Sequence, residues 1–160
     1  MADFSRVSLH ASAKIPATAD QVWDLIRDWA GMLQWWLPAE KGGLQGVQLL
    51  GCELIGTPGS VPRTRRMTLS DGALVDETIV YQNDDSRRIH YIKADDQSIT
   101  GYAATTYVDE LEDGCCTVYI SSEFDVRSPA ERVSGAARFE AVYAAMFKGY
   151  VEYFARSSAG

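Results

Sequence analysis

Residues 115–157 read CCTVYISSEFDVRSPAERVSGAARFEAVYAAMFKGYVEYFARS. The first part alternates. Ile120, Ser122 and Phe124 fall on one side, and Tyr119, Ser121, Glu123 and Asp125 on the other, which is the period of a strand with one buried face. Ser128-Pro129 stops that strand, and proline suits the first turn of a helix. Beyond it the apolar period changes to that of a helix, with a stripe through Val133, Ala137, Glu140, Tyr143 or Ala144, Phe147, Val151 and Phe154. A half-buried strand that runs into one long apolar-striped helix calls for a sheet packed against that helix.

Upstream, the chain supplies the sheet. RVSLHASAKI reads as a first strand ending at Pro16. PATADQVWDLIRDW reads as a helix, with Thr18 as N-cap and Gln21 at capping-box spacing. AGMLQWWLP reads as a second short helix or turn, closed by Pro38 and Gly42-Gly43. Strands follow at VQLLGCELIG, VPRTRRMTL, ALVDETIVYQ, RRIHYIK, SITGYAATTYVDEL and CCTVYISSEFDVR, separated by turn-forming residues. Short turns imply an antiparallel meander. The predicted architecture is α+β: about seven strands, two short helices after the first, and a long C-terminal helix, all within one domain over residues 1–160.

Composition bounds the function. The chain has 160 residues, is 46% hydrophobic, and carries a net charge of −7. That is enough apolar material for one core, and the wrong charge for a nucleic-acid surface; Arg63, Arg65 and Arg66 form the one dense basic cluster. No apolar run is long enough to span a bilayer, and MADFSRVSLH lacks the pattern of a secretory leader, so a cytoplasmic protein is expected. Cys52, Cys115 and Cys116 form no CxxC, and His10 and His90 form no HxxxH, so neither a metal nor any other cofactor is expected. GxSxG, GxGxxG and P-loop motifs are absent.

The ordered set of segments resembles the START/Bet v1-like (SRPBCC) superfamily, and more closely its polyketide cyclase/dehydrase and lipid-transport family. The resemblance is carried by IPATADQVWDLIRDWAGMLQWW at 15–36, by the run from Cys52 to Tyr91, and by ITGYAATTYVDEL and CTVYISSEFDV. Where the family often has a Pro-Leu-Pro-like rim, this chain has ADDQS at 94–98. The resemblance implies a helix-grip fold: a curved sheet wrapped around the long helix, with a cavity between them. The chain is also distantly similar to the plant abscisic-acid receptors, in which the loop corresponding to LSDGA is a gate and DDQSI falls at the latch. Their gate sequence is absent here, so hormone reception is not implied.

Strand parity then nominates cavity residues. Tyr102, Ala104, Thr106 and Val108 are placed inward, with Ile120, Ser122 and Phe124 on the last strand and Val75, Glu77 and Ile79 on the fourth. RRIHYIK admits two registers; the one adopted places His90 and Ile92 inward rather than Ile89 and Tyr91. Phe139, Tyr143 and Phe147 complete the set from the helix, and Arg66 joins it from the basic strand. Tyr102, Phe124, Tyr143 and Phe147 are expected to surround the void.

Glu77 has two readings: a ligand anchor or acid/base group in a wet cavity, or a structural ion pair with Arg63, Arg65 or Arg66. His90 is the other acid/base candidate. Of the adjacent Trp35 and Trp36, at least one is expected at the cavity mouth, in solvent or against a partner. The leading function is binding or transport of a small hydrophobic molecule. The alternative is a cyclase/aromatase- or dehydratase-type enzyme using the same cavity, and a third reading has Trp35-Trp36 recruit another protein. Expected partners are the small molecule alone, with a homodimer left open. Ser70-Asp71-Gly72 suits a tight turn, and its position between inward-facing strands makes it a candidate rim loop.

Overall fold

A computed structural model describes residues 5–159; the first four residues of MADFSRVSLH, the stretch read as lacking a leader pattern, and the last residue of the expected 1–160 domain lie outside it. The strands are β1 (Arg6–Ile15), β2 (Leu49–Ile55), β3 (Arg63–Leu69), β4 (Leu74–Asn83), β5 (Arg88–Lys93), β6 (Ile99–Glu110) and β7 (Cys116–Val126). They form one antiparallel sheet in the order β1-β7-β6-β5-β4-β3-β2. Six strands meander, and β1 closes onto β7, pairing Val7 with Phe124 and Leu9 with Ser122. Register shifts at Ile79/Tyr81 and at Thr100/Ala103 insert extra residues. Such bulges bend and twist a strand, which curves the sheet.

Helix α1 (Ala19–Arg27) begins as its sequence dictates. Thr18 Oγ1 accepts from the Gln21 amide, and the Gln21 side chain accepts from the Thr18 amide, a complete capping box. The second short helix is a single 3-10 turn, Met32–Gln34, with another turn at Ala39–Lys41. Pro129–Glu131 forms a 3-10 lead into the long helix α2 (Arg132–Ala159).

The buried face of α2 is rotated from the expected stripe. Val133 is 82% exposed, and Ala137, Glu140 and Ala144 face outward. The face against the sheet runs through Ala136, Phe139, Tyr143, Met146, Phe147, Tyr150 and Phe154. Glycine sets the closest approach of the helix to its neighbours. A Cβ at Gly149 would run into the carbonyl oxygen of Trp35. Arg156 Nη2 fastens the same turn, donating to the Gln34 carbonyl at 3.1 Å. Among the described residues, no helix is long and apolar enough to cross a membrane.

Gly149→Ala should therefore be destabilising. Helix propensity alone would favour alanine by about 1 kcal/mol. The overpacked contact with Trp35 should reverse that sign, at a cost of roughly 1–3 kcal/mol. Urea unfolding of the variant measures the difference.

Candidate functional site

The central cavity lies between the inner face of the sheet and α2 and has a volume of about 370 Å3. Its walls are mostly apolar: Met32, Trp35 and Trp36 from the first 3-10 turn, Met67, Leu69 and Val75 from the sheet, and Phe139, Val142 and Met146 from α2. The expected contribution of the tryptophans is thus present. Trp35 is buried, packing its ring 4.6 Å from that of Tyr150.

The floor is polar. Arg65 and Glu77 lie directly opposite one another on β3 and β4. Arg65 Nε and Nη2 donate to Glu77 Oε1 at 2.9 and 2.7 Å, and both side chains are nearly withdrawn from solvent. The guanidinium lies 3.6 Å from the Trp29 ring centroid, and the Trp29 indole N–H donates to the Glu77 carbonyl at 2.9 Å. Burial opposes the charge on Arg65, but the adjacent Glu77 carboxylate outweighs it and holds the guanidinium above its ordinary pKa.

Beside this pair runs a chain of hydroxyls. Tyr91 is 3.4 Å from Tyr102, Tyr102 is 2.7 Å from Tyr143, and Tyr143 donates to Ser122 Oγ at 2.5 Å. Burial pushes all three phenols above their ordinary pKa, and the Glu77 charge adds to the effect.

Of the residues nominated from sequence, Val75, Glu77, Tyr102, Phe139 and Tyr143 line the cavity together. Ser122 lies beneath the lining as the end of the hydroxyl chain. Ile120, Phe124 and Phe147 are buried in the core rather than in the cavity wall. The void thus exists, but only two of its four expected surrounding residues bound it.

Three nominated residues face the other way. On β5 the inward residues are Ile89, Tyr91 and Lys93, because Tyr91 pairs with inward Ala104 and Ile89 with inward Thr106. His90 and Ile92 are therefore on the outer face, with His90 against the Tyr81 ring and Ile92 46% exposed. Among the described residues, His90 Nε2 has no hydrogen-bond partner although it is buried, and burial, then Arg88, lowers its pKa. On β3, Arg65 points inward, while Arg66 points outward and makes a bidentate pair with Asp76 at 2.8 and 2.9 Å. Arg65, Met67, Leu69, Tyr91 and Lys93 are among the strand residues of the cavity that parity missed.

Two loops border the mouth. Ser70-Asp71-Gly72 turns β3 into β4, with Gly72 at φ +88°, a conformation open to glycine. Leu69, Asp71, Ala73 and Leu74 line the cavity from this turn. Across from it, Lys93 Nζ donates to Asp96 Oδ2 at 2.7 Å and to the Ala94 carbonyl at 3.1 Å. Arg138 of α2 lies 3.6 Å from the same carboxylate. Partial burial would raise the Asp96 pKa, but Lys93 and the amides of Ile99 and Ser98 outweigh it and bring the pKa to about 2.

A curved seven-stranded antiparallel sheet enclosing a cavity against one long C-terminal helix defines the Bet v1-like helix-grip class. The chain belongs to the polyketide cyclase/dehydrase and lipid transport family, whose model matches residues 6–157. No curated protein shows a significant sequence match. Solved structures of similar shape include a protein from Thermobifida fusca (TM-score 0.74, 24% identity, covering 93% of each chain). XoxI from Bacillus cereus is another (0.73, 21%, 92% of this chain and 95% of that one). A third is norcoclaurine synthase from Thalictrum flavum (0.71, 20%, 92% and 85%). At these identities the likeness is one of fold.

Glu77→Ala should cost about 3–5 kcal/mol of stability, because it leaves the buried Arg65 charge without its partner. Chemical denaturation measures this directly. Asp96 should make the β5–β6 loop acid-sensitive. Its folded pKa is depressed, so its stabilising contribution is full above its ordinary pKa of 3.8 and is lost as pH falls toward about 2. Hydrogen exchange at residues 94–99 should rise over that interval in the wild type, and Asp96→Asn should remove the pH dependence.

Proposed function

We propose that the protein binds and carries a small, largely apolar molecule in the cavity between its sheet and α2. The observation that carries this reading is a void of about 370 Å3 with apolar walls and a compact polar floor, built on one continuous core. Small-molecule sites have this character: apolar area for affinity, a few fixed polar groups for orientation. Membership of a family described by cyclase, dehydrase and lipid-transport functions agrees with it.

Carriage is favoured over proton-transfer chemistry by the state of the polar groups. A general acid or base works best with a pKa near the operating pH. The cavity phenols are shifted upward, away from that range. Glu77 is committed to Arg65, and His90 lies on the opposite face of the sheet. A cyclase- or dehydratase-type activity would leave Lys93, itself paired with Asp96, as the remaining proton-transfer candidate on this floor.

Native mass spectrometry of protein purified from its source should show a co-purifying small molecule. Val142→Trp should exclude it by filling the void while the circular dichroism spectrum is retained. Binding that survives this substitution would place the ligand elsewhere. The 69–74 turn should gain hydrogen-exchange protection on ligand binding; an unchanged turn, with protection confined to strands and helix, would mean that it only reverses the chain.

A further inference from the structure

Given that reading, the ligand's polar end must meet the cavity floor, and the protons of that floor have fixed directions. A phenol has one proton to donate and can accept through its lone pairs. Tyr143 gives its proton to Ser122. Tyr102, bonded to Tyr143, must therefore be the donor in that bond, and Tyr91 the donor to Tyr102. Every proton of the chain runs from Tyr91 toward Ser122. The open end, the Tyr91 oxygen, receives no proton from the chain and presents itself as an acceptor.

Glu77 adds a second acceptor. Both Arg65 donors converge on Oε1, leaving Oε2 outside that pairing. The complementary donor is Lys93, directly opposite Glu77 in the register. An ammonium has three protons; Lys93 directs one to Asp96 and one to the Ala94 carbonyl, and one remains. Glu77, Tyr91, Lys93 and Tyr102 all line the same cavity.

A group seated on this floor needs a proton to give and a lone pair to offer. A ketone or ether oxygen only accepts. A carboxylate also brings a negative charge toward Glu77. An ammonium only donates, and it faces Arg65 and Lys93. A neutral hydroxyl satisfies both sides. We infer that the ligand is an apolar molecule bearing a hydroxyl group, an alcohol or phenol, whose O–H donates to the acceptors formed by Tyr91 and Glu77. This assignment rests on the cavity reading above. Burial keeps the three tyrosines protonated, so the direction of the chain persists through neutral pH.

The test is isothermal titration of the full chain with naphthalene, 2-naphthol, 2-methoxynaphthalene, 2-acetylnaphthalene and 2-naphthylmethylammonium. Naphthalene should bind, and 2-naphthol should bind about tenfold or more tightly than the methoxy and acetyl compounds, the effect of one added hydrogen bond. Tyr91→Phe keeps the ring and removes the acceptor, and should reduce that preference to within about threefold on the same scale. Tyr102→Phe, which breaks the chain one link further in, is the second variant should Tyr91→Phe fail to fold, and should also weaken the preference. Equal affinity for 2-naphthol and its methyl ether, or tighter binding of the ketone or the ammonium, overturns the hydroxyl assignment and leaves the cavity reading standing. A preference that survives the phenylalanine substitution overturns the role of the tyrosine chain. Failure of naphthalene and every derivative to bind overturns the cavity reading and this inference together.

Discussion

A guanidinium taken out of water must be given a counter-charge at the same place, and in this fold that requirement fixes the floor of the cavity. Arg65 meets Glu77 across two neighbouring strands and sits over the Trp29 ring, and Trp29 in turn donates to the Glu77 backbone. The three groups form a closed triangle joining β3, β4 and the segment that leaves α1. Arg63, two residues earlier on the same face, extends the connection by donating to the Arg27 carbonyl at the end of α1. The basic strand therefore serves the helix–sheet junction. An ion pair of this kind contributes geometry more surely than it contributes stability, because desolvation offsets much of its attraction.

The gross fold was legible because its punctuation is local. Thr18 and Gln21 cap a helix, Ser128-Pro129 ends a strand, and the alternation of Ile120, Ser122 and Phe124 identifies a buried face. Each signal depends on residues close together in the chain. Tyr102 and Tyr143 were legible for the same reason, one from strand parity and the other from helical spacing. The faces of β3 and β5 were not. Arg65 and Arg66 are adjacent and chemically alike; only the carboxylates opposite them, Glu77 inside and Asp76 outside, distinguish their faces. On β5 the buried parity contains Lys93, which a hydrophobic pattern assigns to solvent. Its burial is made tolerable by Asp96 and a backbone carbonyl from the next loop. The bulge after Ile79 adds a shift in pairing that no local pattern announces. The stripe of α2 was displaced because Val133 and Ala137 look suitable for burial yet project away from the sheet.

Two kinds of polar order meet in the cavity. One is ionic and compensated: Arg65 with Glu77, and Lys93 with Asp96. The other is a line of neutral hydroxyls ending on a serine. Neutral hydrogen bonds tolerate burial better than unpaired charge and are directional. Placing the phenols inward lets the same rings serve the core: Tyr102 stacks at 6.0 Å on Phe124 and packs at 5.1 Å against Phe139. Polar order and packing are thus carried by the same side chains, and a change that alters one alters the other.

The contact between Gly149 and Trp35 has a mechanical consequence. It leaves no room for a side chain between α2 and the 3-10 turn, and Arg156 ties the same turn to the last part of the helix. The tryptophan side of the cavity consequently behaves as part of the helix. The opposite border is made of two hairpin ends held by polar bonds: Ser70 exchanges two with Gln48, and the Asp96 carboxylate gathers Lys93 and the amides of Ser98 and Ile99. The cavity thus has a back set by close packing and a lip set by directional polar bonds. Under the proposed carrier function, the back would set which molecular widths are admitted, and the lip how long a guest stays.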